Sequence, residues 1–565
     1  MLRRARSDAP YQRTVSISFN ITIDGRTVET QPGESVLAAA RRLGLDIPTL
    51  CYLEKCGPLN TCQVCLVKIN GKLVPSCGTK AAPGLVVESE TEEVHEARRT
   101  ALELLFSDHV GDCLSPCHRL CPLQLNVPVM LRHIQAGRLD EAVVTVRQTL
   151  PLPAVLGRLC HHPCEQGCRR NSLDDPAAIR DMERFVADHD LKSADPYVPP
   201  GKPASGKSVA IIGAGPAGLA AAHFLARAGH AVTVADRHDR AGGTLRTHTT
   251  ETELPRAVLD AELARLERLG IRFKLNVELG RDLSLEGLCR GFDAVLLTVG
   301  EMAPPDLAKF NMASGPSGIK TDPNTGGTSV PGVFAAGSAV KPVKQLVKVM
   351  SEGRAVAECL HLHLLGRRPR RPEKEFSSIM GRMDPSEMRA FLRTANSAGK
   401  VTPCDRCLGH NRAEAATESS RCLHCDCRSS GNCVLQHWAQ VYGADASRFR
   451  AERKKFEQHL QPGGIIFEPG KCILCGICVK LTEMAAEPLG LTFIGRGFDV
   501  KVSVPFSSEI QAGLQKVAAE CVEQCPTGAL VFAEKNLAAS FSDSASCEHG
   551  RPATREQSSQ PEEAI

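Results

Sequence analysis

Hydrophobic and polar positions divide this chain into stretches of different rhythm. Val15-Ser16-Ile17-Ser18-Phe19-Asn20-Ile21-Thr22-Ile23 alternates with period two, as a strand with one buried face does, and Asp24-Gly25 supplies a tight hairpin turn. Ser35 to Gly44 reads as a short helix stopped by its glycine. Residues 92–108 set Leu102, Leu104, Leu105 and Phe106 among charges, a helical pattern, and Val129 to Thr149 is helical again. Val209-Ala210-Ile211-Ile212 is a continuous apolar strand, followed by an alanine-rich helix to Gly229 and a second strand, His230 to Val234. Leu191 to Gly206 is a Pro-, Gly- and Ser-rich linker, and Gly366 to Pro372 is a basic one whose charges predict a solvated face. These rhythms predict a multidomain α+β and α/β chain. Its units are a β-rich domain at 14–92, a helical domain at 93–195 and a nucleotide fold at 205–366. A cysteine-rich segment at 398–445, a last domain at 461–535 and a disordered tail at 538–565 follow.

Composition narrows the function. A net charge of +4 over 565 residues and 4% aromatics make no case for a nucleic-acid partner. The apolar runs are broken by charge well short of a membrane span, and no apolar core follows the basic Met1 to Arg6, so neither a span nor a secretory signal is expected. Cysteine is the outlier, with 25 residues. A secreted disulfide scaffold is usually short and carries a signal. Most of these cysteines instead sit at x2 or x3 spacing, some before proline, which is ligand spacing for metal clusters. That predicts a reducing, cytoplasmic setting.

The first set is Cys51, Cys62, Cys65 and Cys77, spaced C-x10-C-x2-C-x11-C, with Cys56 unassigned. With Cys51-Tyr52 and Cys65-Leu66-Val67 it resembles the N-terminal [2Fe–2S] domain of the large iron–sulfur subunit of complex I and of multisubunit hydrogenases. The resemblance implies a β-grasp ferredoxin-type fold; a zinc site is the alternative. The helix after it delivers His109-x3-Cys113, a ligand pair of the same family. From Pro116-Cys117-His118-Arg119-Leu120-Cys121-Pro122 onward the chain is similar to the glutamate synthase small subunit and the N-terminal region of dihydropyrimidine dehydrogenase. Gly137 to Ala142 and Gly157-Arg158-Leu159-Cys160-x3-Cys164-Glu165-x2-Cys168 continue the match. That domain holds two [4Fe–4S] clusters. Carried over, one takes Cys113, Cys117 and Cys168, with His109 as fourth ligand. The other takes Cys121, Cys160 and Cys164, with Glu183 from Pro176-x2-Ile179-x3-Glu183-x-Phe185 as fourth. The alternatives are a helix-capping histidine and a surface carboxylate.

Gly213, Gly215 and Gly218, with Pro216 and Ala217 between, form GxGxxG at a strand-to-helix turn, and Asp236 follows the second strand. Such glycines let the backbone approach a pyrophosphate at a helix N-terminus, and the acid accepts the ribose hydroxyls. Gly242-Gly243-Thr244-Leu245, Thr298-Val299-Gly300 and Pro331-Gly332-Val333-Phe334-Ala335-Ala336-Gly337 resemble the flavin segments of the glutamate synthase small subunit, implying FAD. Ser338 stands where that family has aspartate. The family's second nucleotide unit, for NADPH, has no room between Gly300 and Pro331.

Cys404-x2-Cys407 precedes Cys422, Cys425, Cys427 and Cys433; the last four are the expected ligands of one further cluster, with zinc as the alternative. Cys472-x2-Cys475-x2-Cys478, with Thr482 where a compact ferredoxin has its fourth cysteine, is completed by Cys525 before Pro526 in a complex I-like pattern, leaving Cys521 spare. Cys289 and Cys359 are expected to be core thiols. The ensemble predicts an iron–sulfur flavoprotein oxidoreductase subunit with FAD, one [2Fe–2S] and three to four [4Fe–4S] clusters. It would pass electrons between a partner's nicotinamide or hydrogenase site and a low-potential acceptor such as a ferredoxin-like carrier. A self-sufficient NAD(P)H-dependent reductase and a non-catalytic assembly subunit are the alternatives. No nucleophile–base pair suggests hydrolysis.

Overall fold

The computed structural model describes residues 18–301, 312–450, 452–461, 464–506 and 509–533. The start of the first expected strand and the expected tail at 538–565 lie outside the described residues. Five strands form the N-terminal sheet: β1 Phe19–Ile23, β2 Arg26–Thr30, β3 Leu66–Ile69, β4 Lys72–Pro75 and β5 Val86–Glu88, in the order β2-β1-β5-β3-β4. The β1–β5 pair is parallel and the others antiparallel. Alternation puts Ile21 and Ile23 inside, against the helix Val36–Arg42, which buries Val36, Leu37, Ala39 and Ala40. Asp24 and Gly25 both take positive φ (47° and 75°), the turn that matches strand twist.

The helix Glu92–Ser107 leads into the helical region. The stretch expected to be helical from Val129 to Thr149 is so, as two helices, Val127–Gln135 and Leu139–Thr149. Gly137 (φ 70°) breaks it, satisfying the first helix's last carbonyls in a left-handed turn. Pro153–Leu159 and Ile179–Leu191 then pack against each other.

The nucleotide fold is a parallel sheet of β6 Ser208–Ile212, β7 Ala231–Ala235, β8 Arg272–Lys274, β9 Ala294–Leu297 and β10 Val333–Ala335, ordered β8-β7-β6-β9-β10. The helix Pro216–Arg227 follows β6 and packs closely on Leu346–Leu364, where Gly353 lets the backbones meet. Three antiparallel strands, β11 His459–Leu460, β12 Ile465–Phe467 and β13 Leu530–Phe532, carry the last domain.

Apolar packing joins these units in an order the chain does not follow. The helical region and the nucleotide fold share one core, from Leu123 through Val155 to Leu219 and Met350. The loop around Cys51, the helix Glu92–Ser107, the helix Val434–Val441 and the last domain share another, through Leu50, Leu102, Leu435, Trp438 and Phe467. The ends of the chain therefore pack together, and the middle forms a second body. In the 366–372 linker Arg371 does not float in solvent: it clamps Glu352 at 2.6 and 2.9 Å.

Candidate metal centres and nucleotide site

The four N-terminal cysteines are buried in the loops flanking β3 and β4. They approach in two pairs. A hydrogen bond from Cys62 holds the Cys51 thiol down at about 5, and one from Cys77 holds Cys65 at about 6, while Cys62 and Cys77 shift up in return. Two irons bridged by sulfide need two protein ligands each, and two close thiol pairs suit that demand. Cys56 stands apart, with its thiol against the Met484 sulfur at 3.8 Å.

The central cysteines are grouped differently from the expected sets. Cys117 and Cys168 do not gather with Cys113. They line one small apolar cavity with Cys422 and Cys425. Burial pushes the Cys117 thiol up, and its neighbours Cys425, Cys422 and Cys168 add to the shift. Cys113 belongs instead with Cys427 and Cys433. The Cys427 amide donates to the Cys113 carbonyl at 3.2 Å. Burial and then Cys427 push Cys113 up to about 11, and the Cys433 thiol rises through burial, Cys427 and Cys113. The expected single cluster on Cys422, Cys425, Cys427 and Cys433 is thus divided at Asp426, two thiols on each side. The second expected set stays together: Cys121 and Glu183 both act on Cys160 and Cys164.

Buried arginines create this arrangement. Arg170 donates to the Asn396 carbonyl at 2.8 Å and also to the Arg421 carbonyl. Arg421 reaches back to Glu418 at 2.7 Å and to the Asp175 carbonyl at 2.9 Å. Together they clip the 422–433 strip onto the loop after Cys168. Arg132 pairs with the buried Asp426, and Asp112 accepts from Arg169 and from the Met380 amide at 2.9 Å.

One backbone device recurs. His162, His424 and Leu474 each lie two residues after a cysteine and take left-handed φ (41°, 46° and 54°). That turns the amide toward the sulfur. His162 donates to Cys160 Sγ and His424 to Cys422 Sγ, each at 3.4 Å, and the Leu474 amide lowers Cys472 against the rise due to burial. A non-glycine residue pays roughly 1–2 kcal/mol for this conformation, which suits a site where thiolate must be held.

The two expected non-cysteine ligands carry unpartnered buried polar atoms. His109 Nδ1 and Glu183 Oε1 have no hydrogen-bond partner among the described residues. Burial, helped by the Lys471 charge, lowers His109 to about 3, leaving a neutral imidazole. Burial raises Glu183 to about 8, with Arg180 opposing. A neutral imidazole at His109, next to the Lys471 that also acts on Cys113, and a buried carboxyl at Glu183, which acts on Cys160 and Cys164, are donors that fit iron. Lys471 was not singled out by sequence. It is buried beside Cys427 and Glu468; burial works against its charge, but those two partners hold the ammonium protonated.

Cys472, Cys475, Cys478 and Cys525 line one enclosed apolar cavity of the last domain. Cys521 is buried next to it, its thiol 3.9 Å from the Cys478 carbonyl. Cys404 and Cys407 are exposed, and Cys404 is tied to Glu414, away from any set. Cys359 is fully buried as expected, but Cys289 is exposed on the helix Leu285–Gly291, not in the core.

In the nucleotide fold the predicted residues converge. A Cβ on Gly213 would lie 2.3 Å from the Thr298 carbonyl oxygen, and one on Gly218 would lie 2.1 Å from that of Gly213. Gly243 abuts Gly215, and Gly337 abuts Ala217, with half-buried Ser338 next to it. Leu245 is buried behind Gly243. Added Cβ atoms on Gly215 and Gly300 meet none of the described residues within 4 Å, and Gly215 leaves room for a ligand at the helix N-terminus, where Pro216 begins the helix. Asp236 accepts from the Ala214 amide at 2.6 Å and from His238 at 2.7 Å.

Residues 16–92 match the family model of a 2Fe-2S iron–sulfur cluster binding domain, residues 88–194 that of dihydropyrimidine dehydrogenase domain II with its 4Fe-4S cluster, and residues 211–264 that of an NAD(P)-binding Rossmann-like domain. The NAD-dependent dihydropyrimidine dehydrogenase subunit PreT homolog of Salmonella typhi is 34% identical over 314 residues, which are 53% of this chain and 75% of that protein. The beta subunit of an NADP(+)-dependent formate dehydrogenase of Moorella thermoacetica is 39% identical over 207 residues, 33% of this chain but only 29% of that subunit. The glutamate synthase [NADPH] small chain of Mycobacterium tuberculosis is 38% identical over 197 residues, 35% of this chain and 40% of that one. No described helix is long and apolar enough to cross a membrane.

Proposed function

The chain belongs to the family of the PreT subunit of NAD-dependent dihydropyrimidine dehydrogenase, and we propose that it is an iron–sulfur flavoprotein subunit that relays electrons within a larger redox complex. The carrying observation is that five thiol-bearing sites are joined in series by hydrogen bonds or by a few residues of chain. The Thr61 hydroxyl beside Cys62 donates to the Cys475 carbonyl at 3.2 Å, joining the N-terminal site to that of the last domain. Cys433 and the Leu435 amide both donate to the Pro526 carbonyl, next to Cys525. Only Asp426 separates Cys425 from Cys427, and Cys117 and Cys168 each lie four residues from a thiol of the next set, Cys121 and Cys164. Arg354 and Ser351, on the helix Leu346–Leu364 of the nucleotide fold, donate to the carbonyls of Leu123 (2.6 Å) and Pro122 (2.9 Å) beside Cys121.

On this reading Cys51, Cys62, Cys65 and Cys77 hold a [2Fe–2S] cluster in a β-grasp domain. Four [4Fe–4S] clusters take Cys472, Cys475, Cys478 and Cys525; His109, Cys113, Cys427 and Cys433; Cys117, Cys168, Cys422 and Cys425; and Cys121, Cys160, Cys164 and Glu183. The glycine cradle at 213–218, 243 and 337 binds FAD. Clusters carry single electrons and FAD exchanges one or two, so the pair links a hydride donor to one-electron partners. The chain's own residues set the order of the sites, exclude water from the thiols and hold fixed charge beside them. A partner subunit of nicotinamide or hydrogenase type supplies or receives the electron pair, because the described residues between Gly300 and Pro331 form only the hairpin Ser314–Gly315 with Gly318–Ile319.

A second reading, a self-sufficient NAD(P)H-dependent reductase, is favoured by the match of residues 211–264 to an NAD(P)-binding model. Anaerobic mixing with NADH or NADPH decides between them. Slow, incomplete bleaching of the isolated protein is expected; rapid reduction without a partner selects the second reading. Flavin analysis of the same sample bears on the assembly-subunit alternative, which requires that none be bound.

A further inference from the structure

We propose that the cationic cavity over the helix Ile179–Leu191 is the docking site of an acidic one-electron carrier protein, placed to exchange electrons with the Cys121–Cys160–Cys164–Glu183 site. The cavity measures about 480 Å³ and lies between this helix and the loop at 400–411. Arg180, Arg184, Lys192, Lys400 and Arg406 line it, against Asp181 and Asp188. Asp188 is already committed: it is bridged by Arg158 at 2.8 and 2.9 Å. Lys400 lies 3.8 Å from Glu165, whereas exposed Lys192 and Arg406 have no ion-pair partner among the described residues. Leu408 extends from the rim, 73% exposed, an apolar contact within a basic ring. Such a ring draws an acidic partner and orients it.

The wall of this cavity is also the wall of the metal site. The Arg180 guanidinium donates to the Cys160 carbonyl at 3.3 Å, and its amide donates to Glu165 at 2.9 Å. Arg180 and Arg184 flank Glu183 on the helix, and the Arg184 guanidinium grips the loop through the Cys407 carbonyl. A nicotinamide delivers hydride, which needs flavin. A cavity that backs onto a cluster ligand therefore serves a partner that gives or takes one electron.

This inference rests on the reading of Cys121, Cys160, Cys164 and Glu183 as a cluster site. The test uses anaerobically purified full-length protein and its Lys192→Glu/Arg406→Glu variant. Iron content and cluster EPR are recorded first; then stopped-flow oxidation of the reduced protein is followed with a small acidic [2Fe–2S] ferredoxin and, separately, with a small neutral quinone. Unchanged iron and EPR are expected, with at least about tenfold slower second-order transfer to ferredoxin at low salt and no change with quinone. The deficit should shrink as added salt screens the surface charge. An equal ferredoxin rate in variant and wild type overturns the docking site while leaving the cluster intact. Loss of no EPR signal in Glu183→Ala/Cys160→Ala would overturn the cluster reading and the docking site with it.

Discussion

His109 and Glu183 show how much one buried polar atom can carry. Burial keeps His109 neutral and favours the protonated form of Glu183, and each leaves one atom unmatched among the described residues. If His109 is a ligand, His109→Cys adds a negative charge to its cluster and should lower one [4Fe–4S] potential by on the order of 60–120 mV, with iron content retained; 59 mV is a tenfold shift for one electron. An EPR-monitored redox titration reads this, and unchanged potentials for every signal would count against the ligand. Lys471 acts in the opposite sense. Its buried ammonium beside Cys427 favours the more negative, reduced state of that site, so Lys471→Met should lower the same potential. It also strands Glu468, buried and ion-paired only in the parent protein, at a cost of roughly 3–5 kcal/mol. Denaturant midpoints of the two proteins check the stability change.

At the scale of elements, two features invite separate tests. The close approach of Gly218 to the Gly213 carbonyl leaves no room for a methyl group. Gly218→Ala is expected to abolish flavin binding while cluster EPR persists, which absorbance and flavin release measure together. Glu262 joins the nucleotide fold to the helical region: it accepts from Arg147, from the Ala154 amide at 2.7 Å and from Arg265 at 3.3 Å, all inside the protein. Glu262→Ala should destabilise the helical region by roughly 3–5 kcal/mol, because buried Arg265 loses its carboxylate and Arg147 keeps only Asp190; the transition in guanidinium chloride reports it. These elements also divide what sequence reveals from what it conceals. The alternation at Phe19–Ile23, the strand–glycine–helix turn at 208–218 and the run Cys472-x2-Cys475-x2-Cys478 are local patterns, and local geometry follows from them. The break at Gly137 is marked by its glycine, between two stretches of helical apolar pattern. The left-handed His162, His424 and Leu474 carry no such mark, since the sulfur, not the residue's own propensity, asks for that backbone.

At the scale of the molecule, the middle body is inserted between two members of one cysteine group. Cys113 and Cys427 meet across more than three hundred residues of chain. The family resemblance groups Cys113 with Cys117 and Cys168, and spacing along the chain makes the 422–433 strip one cluster; neither registers a contact over such a separation. The available signal was the strip itself: Cys422-x2-Cys425 and Cys427-x5-Cys433 are two pairs divided by Asp426, one for each half-complete set. With that division each proposed set has four members, and the loop around Cys51 packs in one core with the last domain. The most direct measurement compares EPR spectra of reduced Cys113→Ala, Cys427→Ala and Cys117→Ala proteins. Loss of one common signal in the first two, and of a different signal in the third, is the predicted result. A common loss in Cys113→Ala and Cys117→Ala, with that signal intact in Cys427→Ala, would contradict it.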